Sequence, residues 1–264
     1  MLRKTLLAGL FLLASLPALA APCSDTGGSY EGWKSVMAAE ASAEGVGAKG
    51  VAALMGTSYS KATISADRNQ KSFKYSLEKF MNVRGADTIV SQGKSRLKKG
   101  QSFYDGLEAR YGVPAGVVIA IYGMETGFGG FMGDTQVVSA IATLTYDCRR
   151  SDFFRPHLIG ALKLVDQGSI TAKTVGAKHG ELGHTQFLPG NAKNYGVDGN
   201  GDGKVDFYNQ ADALASTANF LRQKGWQPGA GYQEGEPNFA VIKQWNAAKV
   251  YQQAIAIMGK RIDG

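Results

Sequence analysis

Beyond its first twenty residues, this 264-residue sequence has no long apolar run, no internal repeat and no low-complexity tract. A helix that crosses a bilayer needs about 20 consecutive apolar residues, so the sequence predicts no membrane span after that point. Strand-like alternation is scarce and short. These absences argue against integral membrane and repeat architectures, and they favour one large domain or two closely packed subdomains.

The first twenty residues have the three parts of a secretory signal. Arg3 and Lys4 precede an apolar run at residues 6–16, and Ala18-Leu-Ala20 supplies small residues before a cleavage site. We assign residues 1–20 to a signal peptide and expect the mature chain, residues 21–264, in the periplasm. Loss of Arg3 and Lys4 would lower the net charge from +7 to +5. This moderate charge suits an anionic envelope polymer, and export argues against nucleic acid as a partner.

Cysteine is scarce, and its two copies, Cys23 and Cys148, allow only one pairing. An oxidising compartment favours a disulfide between them. The alternatives are two separate buried thiols, or lipidation of Cys23 after signal cleavage. Lipid-attachment sites resemble Leu-x-Ala/Gly-Cys, which Pro22 before the cysteine fits poorly. We therefore expect the disulfide and no membrane anchor.

Apolar residues at spacings of three and four predict helices along most of the chain, so the predicted fold class is mainly α. Pro114 suits the first turn of a helix. Gly45 is a predicted helix stop, and a break is predicted near Asn246. The predicted helices cover residues 30–54, 73–80, 89–111, 115–124, 137–145, 153–165, 211–224 and 239–258.

Glu125 stands at the end of a predicted helix, residues 115–124, that is apolar almost all round. Such a helix is buried, and a carboxyl group there is costly unless the protein pairs it or uses it. Burial disfavours the charged form, and the partial negative charge at a helix C-terminus acts in the same direction. Both effects raise the pKa of Glu125 toward the range of a general acid. From these residues alone, a buried pair with an arginine such as Arg149 explains the pattern equally well.

The wider sequence resembles the B-type lytic murein transglycosylases. The segments similar to the catalytic region of that family are Tyr111-Gly-Val-Pro114 and Gly123-Met-Glu-Thr-Gly-Phe-Gly129. Its next helix and paired arginines are matched by Ala140-Ile-Ala-Thr-Leu-Thr145 and Arg149-Arg150. Its Gly-x-x-Gln-Phe-Met-Pro segment and C-terminal motif are matched by Gly183-His-Thr-Gln-Phe-Leu-Pro189, then Asn238-Phe239, Trp245-Asn246 and Tyr251. The matches occur in order over nearly the whole mature chain.

Membership of that family implies a lysozyme-like, mainly helical α+β fold, with a catalytic core at about residues 100–225 flanked by helical segments. It implies cleavage of the β-1,4 bond between N-acetylmuramic acid and N-acetylglucosamine in peptidoglycan glycan strands, with a 1,6-anhydro product. Ordinary glycosidases use two carboxyl groups. This family needs one, here Glu125, which protonates the glycosidic oxygen and then deprotonates the C6 hydroxyl. A monomer without a catalytic cofactor is expected.

The resemblance also implies substrate-binding residues, namely Gln186, Arg149, Arg150, Trp245, Asn246 and Tyr251. The amide of Gln186 both donates and accepts, which suits sugar amide and hydroxyl groups, and a structural role is the alternative. Arg149 and Arg150 can bind peptide or lactyl carboxylates, or form a salt-bridged pair. Trp245 and Tyr251 can stack on sugar rings, or belong to the core.

Two positions depart from the family pattern. Where relatives have Ser-x-x-Gly-Ala-Met-Gly, this chain has Ala177-Lys-His-Gly-Glu181-Leu-Gly183. The missing serine hydroxyl predicts altered sugar contacts. Glu181 adds a carboxylate, which either pairs with Lys178 or His179 or acts as a second catalytic carboxylate and favours hydrolysis.

Residues 198–209 match a twelve-residue calcium loop of the EF-hand type. The ligands would be Asp198, Asn200, Asp202, the carbonyl of Lys204, and Asp206. Asn209 stands at the twelfth position, where such loops have a bidentate Glu, so we expect weak, structural Ca²⁺ binding. The alternative is a metal-free turn rich in Asx hydrogen bonds.

Two other functions compete with the transglycosylase. One is a hydrolytic muramidase that uses the same acid, and the other is a wall-binding or assembly module without turnover. Glu125 in its glycine-rich surroundings argues against the module, because a protein without turnover has no use for the acid.

Overall fold

The computed structural model describes residues 21–69 and 74–264, so the predicted signal peptide and Phe73 lie outside the described residues. Within them are thirteen α-helices and one pair of antiparallel two-residue strands. The helices are α1 Tyr30–Ala43, α2 Ala48–Met55, α3 Lys61–Arg68, α4 Leu77–Val83, α5 Ala86–Lys99, α6 Gln101–Tyr111, α7 Ala115–Thr126, α8 Val137–Tyr146, α9 Ser151–Gln167, α10 Pro189–Tyr195, α11 Gln210–Gln223, α12 Phe239–Trp245 and α13 Lys249–Asp263. The strands are β1 Thr135–Gln136 and β2 Val175–Gly176. The predicted mainly α class is confirmed.

Helix α7 runs through the core because it is apolar almost all round. Pro114 directly precedes it, and Gly127 ends it with φ 57°, a left-handed conformation that favours glycine. Every residue of α7 except Glu125 is buried. Glu125 is therefore the one point at which this helix reaches a surface.

Helix α13 packs antiparallel against α7 through a close approach of two glycines. A Cβ on Gly116 would lie 2.2 Å from the carbonyl oxygen of Gly259, so no larger residue fits there. Glu125 follows Gly116 by nine residues and Tyr251 precedes Gly259 by eight. At 1.5 Å per residue, these are similar lengths of about 12–14 Å along the two helices. The glycine contact thus sets the register that places Tyr251 beside Glu125.

The N-terminal helices are tied to α8 and α9 by a covalent bond and by a carboxylate. Cys23 and Cys148 form a disulfide, with 4.9 Å between their Cα atoms. Asp166 in α9 accepts hydrogen bonds from the backbone N–H groups of Gly47 and Gly50 at the start of α2. A carboxylate in this position satisfies free N–H groups of the first turn and suits its partial positive charge.

The predicted helix stop at Gly45 is confirmed, and a second long predicted helix is divided at Gly100. Gly45 lies between α1 and α2, and Gly100 lies between α5 and α6. The sequence does not predict α3 or α10, because both are short and largely polar. The predicted break near Asn246 is confirmed, since it lies between α12 and α13. In the part of the chain that the structure describes, no helix has the length and apolar character needed to cross a membrane.

Candidate active site

Glu125 lies in the wall of an open cleft, and its carboxyl group is held by the two C-terminal helices. The indole Nε1 of Trp245, at the end of α12, donates a hydrogen bond to Oε1 at 3.0 Å. The hydroxyl of Tyr251, in α13, donates to the same oxygen at 2.5 Å. Among the described residues, no donor bonds to Oε2. The two donors therefore fix the carboxyl group and leave Oε2 for a bound molecule.

The pKa of Glu125 is raised from 4.5 to about 7, chiefly by burial, because a charged carboxylate is costly where protein replaces water. The hydrogen bonds from Tyr251 and Trp245 lower the pKa and so act against burial. Glu181 raises the pKa further by charge repulsion, and Arg84 lowers it. The direction agrees with the sequence-based expectation. A carboxyl group with this pKa can both hold and release a proton near neutral pH, as a general acid and base must.

Residues 183–189 form a second wall, which is tied directly to α7. The hydroxyl of Thr126, next to Glu125, donates to the carbonyl oxygen of His184 at 2.7 Å. Gln186 has φ 54°, a left-handed conformation that costs a non-glycine residue energy and clusters at functional sites. Its Nε2 donates to the carbonyl oxygen of Gly183 at 2.7 Å, whereas its Oε1 accepts no hydrogen bond from the described residues. Gln186 is thus fixed by its own loop with one polar atom left for a ligand.

The cleft consists of two adjoining cavities whose linings share Glu125, Glu181, Leu188, Trp245 and Asn246. The first, here called the Gln186 cavity, has a volume of about 330 Å³ and is also lined by Ala177, Gln186 and Phe187. The second, the Arg84 cavity, has a volume of about 670 Å³ and is also lined by Arg84, Arg150, Phe153, His179 and Tyr251. Glu125 therefore stands where an extended ligand would pass from one cavity into the other.

Glu181 lines both cavities and is paired with His179. Its Oε2 accepts the backbone N–H of His179 at 3.1 Å, and Oε1 lies 3.4 Å from Nδ1 of that histidine. Lys178, the other expected partner, forms an ion pair with Asp134 instead, at 2.6 Å. The pairing interpretation of Glu181 therefore holds with His179. Because 22% of its side chain stays exposed, Glu181 still presents charge to the cleft.

Arg149 and Arg150 both pair with Asp67, a buried carboxylate in α3. Nε of Arg149 donates to Oδ2 at 2.7 Å, and Arg150 donates to Oδ1. Burial by itself raises the pKa of Asp67, but the two arginines outweigh it and lower the pKa. Arg149 lies outside both cavities, whereas Arg150 lines the Arg84 cavity. This placement favours the salt-bridged interpretation of the pair over carboxylate binding.

Trp245 and Tyr251 both hold Glu125, and Tyr251 offers no open ring face to a sugar. The Trp245 indole lies nearly perpendicular to the rings of Phe187 and Phe220, with centroid distances of 5.2 and 5.5 Å, and it lines both cavities. Tyr251 is only 3% exposed, so its ring is too buried for stacking. Stacking by Tyr251 is therefore not supported, because α13 holds the ring inside the core. Asn246 lines both cavities, and its Oδ1 accepts the N–H of Ala248 at 3.0 Å.

The side chains of the loop at residues 198–209 bond mainly to the loop's own backbone. Asp198 accepts from the N–H groups of Gly201 and Gly203 at 2.6 and 2.7 Å. Oδ1 of Asn200 accepts from the N–H of Asp202 at 2.9 Å. Asp202 in turn accepts from Lys204, and Asp206 from Tyr208. These are the Asx hydrogen bonds of the metal-free alternative.

The last residue of the loop and one residue that follows it decide how well the loop fits Ca²⁺. The side chain of Asn209 caps α11 by accepting from Ala211, so the twelfth position serves the helix. Buried Asp212 accepts the N–H groups of Gly199, Asn200 and Asp206, which anchors the loop without metal. Over residues 21–69 and 74–264, no three His, Cys, Asp or Glu side chains form a ready metal site. The remaining oxygen donors suit Ca²⁺ in kind, and weak Ca²⁺ binding stays a prediction.

Three residues with a part in the site are not identified by sequence reasoning. Asp67 and Arg84 precede the recognised motifs, and no local pattern indicates that either reaches the cleft region. Thr126 does have a signal, because a hydroxyl residue beside the acid at a helix end suits a tie to a neighbouring loop.

Comparison with known protein families matches residues 29–236 to the Transglycosylase SLT domain, which is well over half of the chain. Among curated proteins, the chain is 36% identical over 121 residues to the membrane-bound lytic murein transglycosylase B of Escherichia coli strain K12. That alignment covers 45% of this chain and 34% of the relative, so the matched part spans about a third of that protein's length.

Solved structures of lytic transglycosylases share this fold. SltB3 from Pseudomonas aeruginosa, in complex with NAG-NAM-pentapeptide, matches with a TM-score of 0.81 at 28% identity, over 90% of this chain and 80% of that one. Slt35 from Escherichia coli, in complex with calcium, matches with a TM-score of 0.73 at 19% identity, over 95% and 98% of the two chains, which is evidence about the fold alone. The expected lysozyme-like, mainly helical fold is confirmed. Because the domain match spans most of the chain and includes Glu125 and Gln186, the chain belongs to the Transglycosylase SLT domain family.

Proposed function

We propose that this chain is a lytic murein transglycosylase that cleaves the β-1,4 bond between N-acetylmuramic acid and N-acetylglucosamine in peptidoglycan. The observation that carries the proposal is the carboxyl group of Glu125, held by Trp245 and Tyr251 at the junction of two cavities with its pKa raised to about 7. The relatives support it, because one is a lytic murein transglycosylase and SltB3 was crystallised with NAG-NAM-pentapeptide.

Glu125 is the proposed acid and base. In the first step, Oε2 donates a proton to the glycosidic oxygen, the bond from that oxygen to the muramic C1 breaks, and N-acetylglucosamine leaves as an alcohol. The acetamido oxygen of the muramic residue stabilises the positive C1. In the second step, the carboxylate takes the proton of the C6 hydroxyl, whose oxygen bonds to C1 and closes the 1,6-anhydro ring. The carboxyl group ends protonated, so one glutamate completes the cycle.

Trp245 and Tyr251 are proposed to stabilise the carboxylate between these steps. Oε1 keeps both donors after the proton has left, and hydrogen bonds to a charged acceptor are stronger than those to a neutral one. The two donors therefore favour proton release in a site where burial alone would hold the proton too tightly.

Gln186 and Asn246 are the proposed contacts to the saccharide. Oε1 of Gln186 and Nδ2 of Asn246 have no hydrogen-bond partner among the described residues, and both side chains line the cleft. One atom accepts and the other donates, which suits the N–H, carbonyl and hydroxyl groups of N-acetylated sugars.

A hydrolytic muramidase is the second candidate, and Glu181 is the observation that favours it. Its carboxylate lines both cavities together with Glu125. A carboxylate there can take a proton from water, whose oxygen would then bond to C1 and leave a reducing end.

Location, partners and metal complete the proposal. Residues 1–20 are proposed to direct export to the periplasm. There the protein is proposed to act as a monomer on peptidoglycan strands. Weak structural Ca²⁺ binding is proposed at Asp198, Asn200, Asp202, the carbonyl of Lys204, and Asp206. No cofactor is proposed for catalysis, because the acid and base steps need only Glu125 and the substrate.

Mass spectrometry of products released from purified sacculi tests the function. Anhydromuramic ends, each lighter than a reducing end by one water, are expected from the wild type and not from Glu125→Gln. Reducing ends would indicate the muramidase instead. Binding to sacculi without release of any product would indicate a binding module and overturn both enzymatic candidates.

A further inference from the structure

Arg84 is a cation in the cleft that forms no ion pair with any carboxylate among the described residues. It directly follows α4, and its guanidinium stacks over the ring of Phe80, 5.2 Å from the ring centroid. Over residues 21–69 and 74–264, every ion pair of the structure involves other residues. Arg84 nevertheless lines the larger of the two cavities, beside Glu125.

The other cations that line the Arg84 cavity each have a carboxylate partner. Arg150 shares the carboxylate of Asp67 with Arg149, and His179 contacts Glu181. Glu125 keeps its proton below its pKa of about 7, to which burial raises it. Among the described residues that line this cavity, Arg84 is therefore the cation without an ion-pair partner.

The guanidinium of Arg84 lies close enough to Glu125 to act on it electrostatically, and it forms no ion pair with that carboxyl group. Burial raises the pKa of both Glu125 and Tyr251, and the positive charge of Arg84 acts against this rise in each case. Stacking on Phe80 restricts the side chain, and its guanidinium N–H groups donate to no acceptor in the described part of the chain. A planar guanidinium in this state suits a two-point contact with a carboxylate.

We propose that Arg84 binds a carboxylate carried by the muramic residue of the glycan strand, an inference that rests on the proposed function. Muramic acid differs from N-acetylglucosamine by a lactyl ether. This group supplies a carboxylate directly in a peptide-free strand, and through its attached peptide in a peptide-bearing one. Because the two sugars alternate, a carboxylate held at Arg84 sets the register of the strand. It selects which glycosidic bond lies at Glu125.

Three soluble glycans of equal length test the proposal. They are peptide-bearing strands, peptide-free strands with free lactyl carboxylates, and peptide-free strands whose lactyl groups are converted to neutral methylamides. Arg84→Ala should lower kcat/KM at least about 10-fold on one or both anionic strands, mainly through a higher KM, as expected for a lost hydrogen bond to a charged group. Turnover of the methylamide strand should be unchanged, which also shows that the variant is folded.

Two variants serve as controls. Arg84→Lys keeps the positive charge but lacks the planar guanidinium. Its kcat/KM on the anionic strands should lie between the values of the wild type and Arg84→Ala. Arg110→Ala removes a cation that also stacks on a ring, that of Tyr111, but outside the cleft, and should leave all three rates unchanged. Rates are compared about two pH units below the pKa of Glu125, where the acid is protonated in every variant.

The results on the three strands identify the source of the carboxylate and distinguish failure of this proposal from failure of the proposed function. Loss on peptide-bearing strands alone identifies the stem peptide, and loss on peptide-free anionic strands alone identifies the lactyl carboxylate. An equal loss on all three strands would mean that Arg84 acts through Glu125 or the fold, and no loss on any would remove its role; both overturn the proposal. Failure of the proposed function appears separately, as absence of anhydro products from the wild type on every strand.

Discussion

The hydroxyl of Tyr251 donates a hydrogen bond to Oε1 of Glu125 at 2.5 Å, across 126 residues of chain. The bond joins α13 to α7, where Gly116 and Gly259 let the two helices approach closely. The protonation of the proposed acid therefore depends on a helix from the far end of the chain. Placing the last helix in register is part of building the site.

Tyr251→Phe removes this donor and keeps the ring. Since the hydrogen bond lowers the pKa of Glu125, its loss should raise that pKa above about 7 and move the high-pH limb of the rate profile to higher pH. The carboxylate formed during turnover also loses a donor. At about 1.5–3 kcal/mol for such a bond, kcat should fall about 10-fold or more.

A pH–rate profile measures both effects of Tyr251→Phe. Tyr232→Phe is the matched control, because it removes a hydroxyl that donates to Asp263 at 2.9 Å, away from the cleft. An unmoved high-pH limb in Tyr251→Phe would show that the bond does not control the proton of Glu125.

Glu181→Gln should move the same limb in the opposite direction. Burial is the main reason for the high pKa of Glu125, and the negative charge of Glu181 adds to it. Neutralising Glu181 should therefore lower the pKa of Glu125, so that activity is lost at lower pH. Asp134→Asn, which neutralises an exposed carboxylate paired with Lys178, is the control. If Glu181 activates water, reducing ends should also disappear from the products of Glu181→Gln, whereas an unchanged product mixture would exclude that role.

The local sequence identifies Glu125, but not the residues that hold it. A carboxyl group in an apolar helix can be recognised within about a dozen residues, because the helical repeat already predicts its burial. The donors are 120 and 126 residues away, and their contact depends on how α12 and α13 pack, which no short pattern encodes. Arg149 shows the same limit, since its partner Asp67 lies 82 residues earlier in an unpredicted helix.

The helix ends can be predicted from the sequence only in part. Gly45 is a predicted helix stop and lies between α1 and α2 as expected, whereas Gly100 divides a helix that is predicted to be continuous. The break near Asn246 can be predicted, since the asparagine interrupts the apolar pattern and its side chain bonds to the N–H of Ala248.

The disulfide between Cys23 and Cys148 should be complete in exported protein and should stabilise the fold. It closes a sequence separation of 125 residues, so reduction frees a long loop in the unfolded chain. We expect reduction, or replacement of both cysteines by serine, to lower the free energy of unfolding by about 2–4 kcal/mol. Thiol labelling of unreduced, denatured protein should find no free cysteine. Two labelled thiols would contradict the bridge.

Ca²⁺ should raise the melting temperature slightly, and Asp202→Ala should abolish the rise. Asp202 is one of the proposed ligands, and its loss removes both a charge and an oxygen donor. Asp212→Asn is the control, because buried Asp212 bonds to the loop backbone. It should lower the melting temperature with or without Ca²⁺. Identical melting curves of the wild type in Ca²⁺ and in chelator would leave the metal-free turn as the state of the loop.

Glu125→Gln should lower activity and raise stability at the same time. Gln has a similar shape, but it can neither donate the proton to the glycosidic oxygen nor take one from the C6 hydroxyl. Turnover should therefore fall at least about 100-fold, the lower end for loss of general acid–base catalysis. Full activity in this variant would refute the assignment of the acid.

The stability change follows from the pKa of Glu125, which burial raises from 4.5 in the unfolded chain to about 7 in the fold. Well below pH 4.5 the group is protonated in both states, so its ionisation does not change the stability there. Between the two pKa values the unfolded state alone ionises, so wild-type stability falls as the pH rises, by about 3 kcal/mol in total. Gln does not titrate, so urea unfolding at pH values above about 7 should find Glu125→Gln more stable than the wild type, with the difference vanishing in acid. A variant that is inactive and equally stable at every pH would mean that the carboxyl group is not buried as described. An inactive variant that gains stability only at high pH is the expected result, because the ionised carboxyl group destabilises the fold and is needed for catalysis.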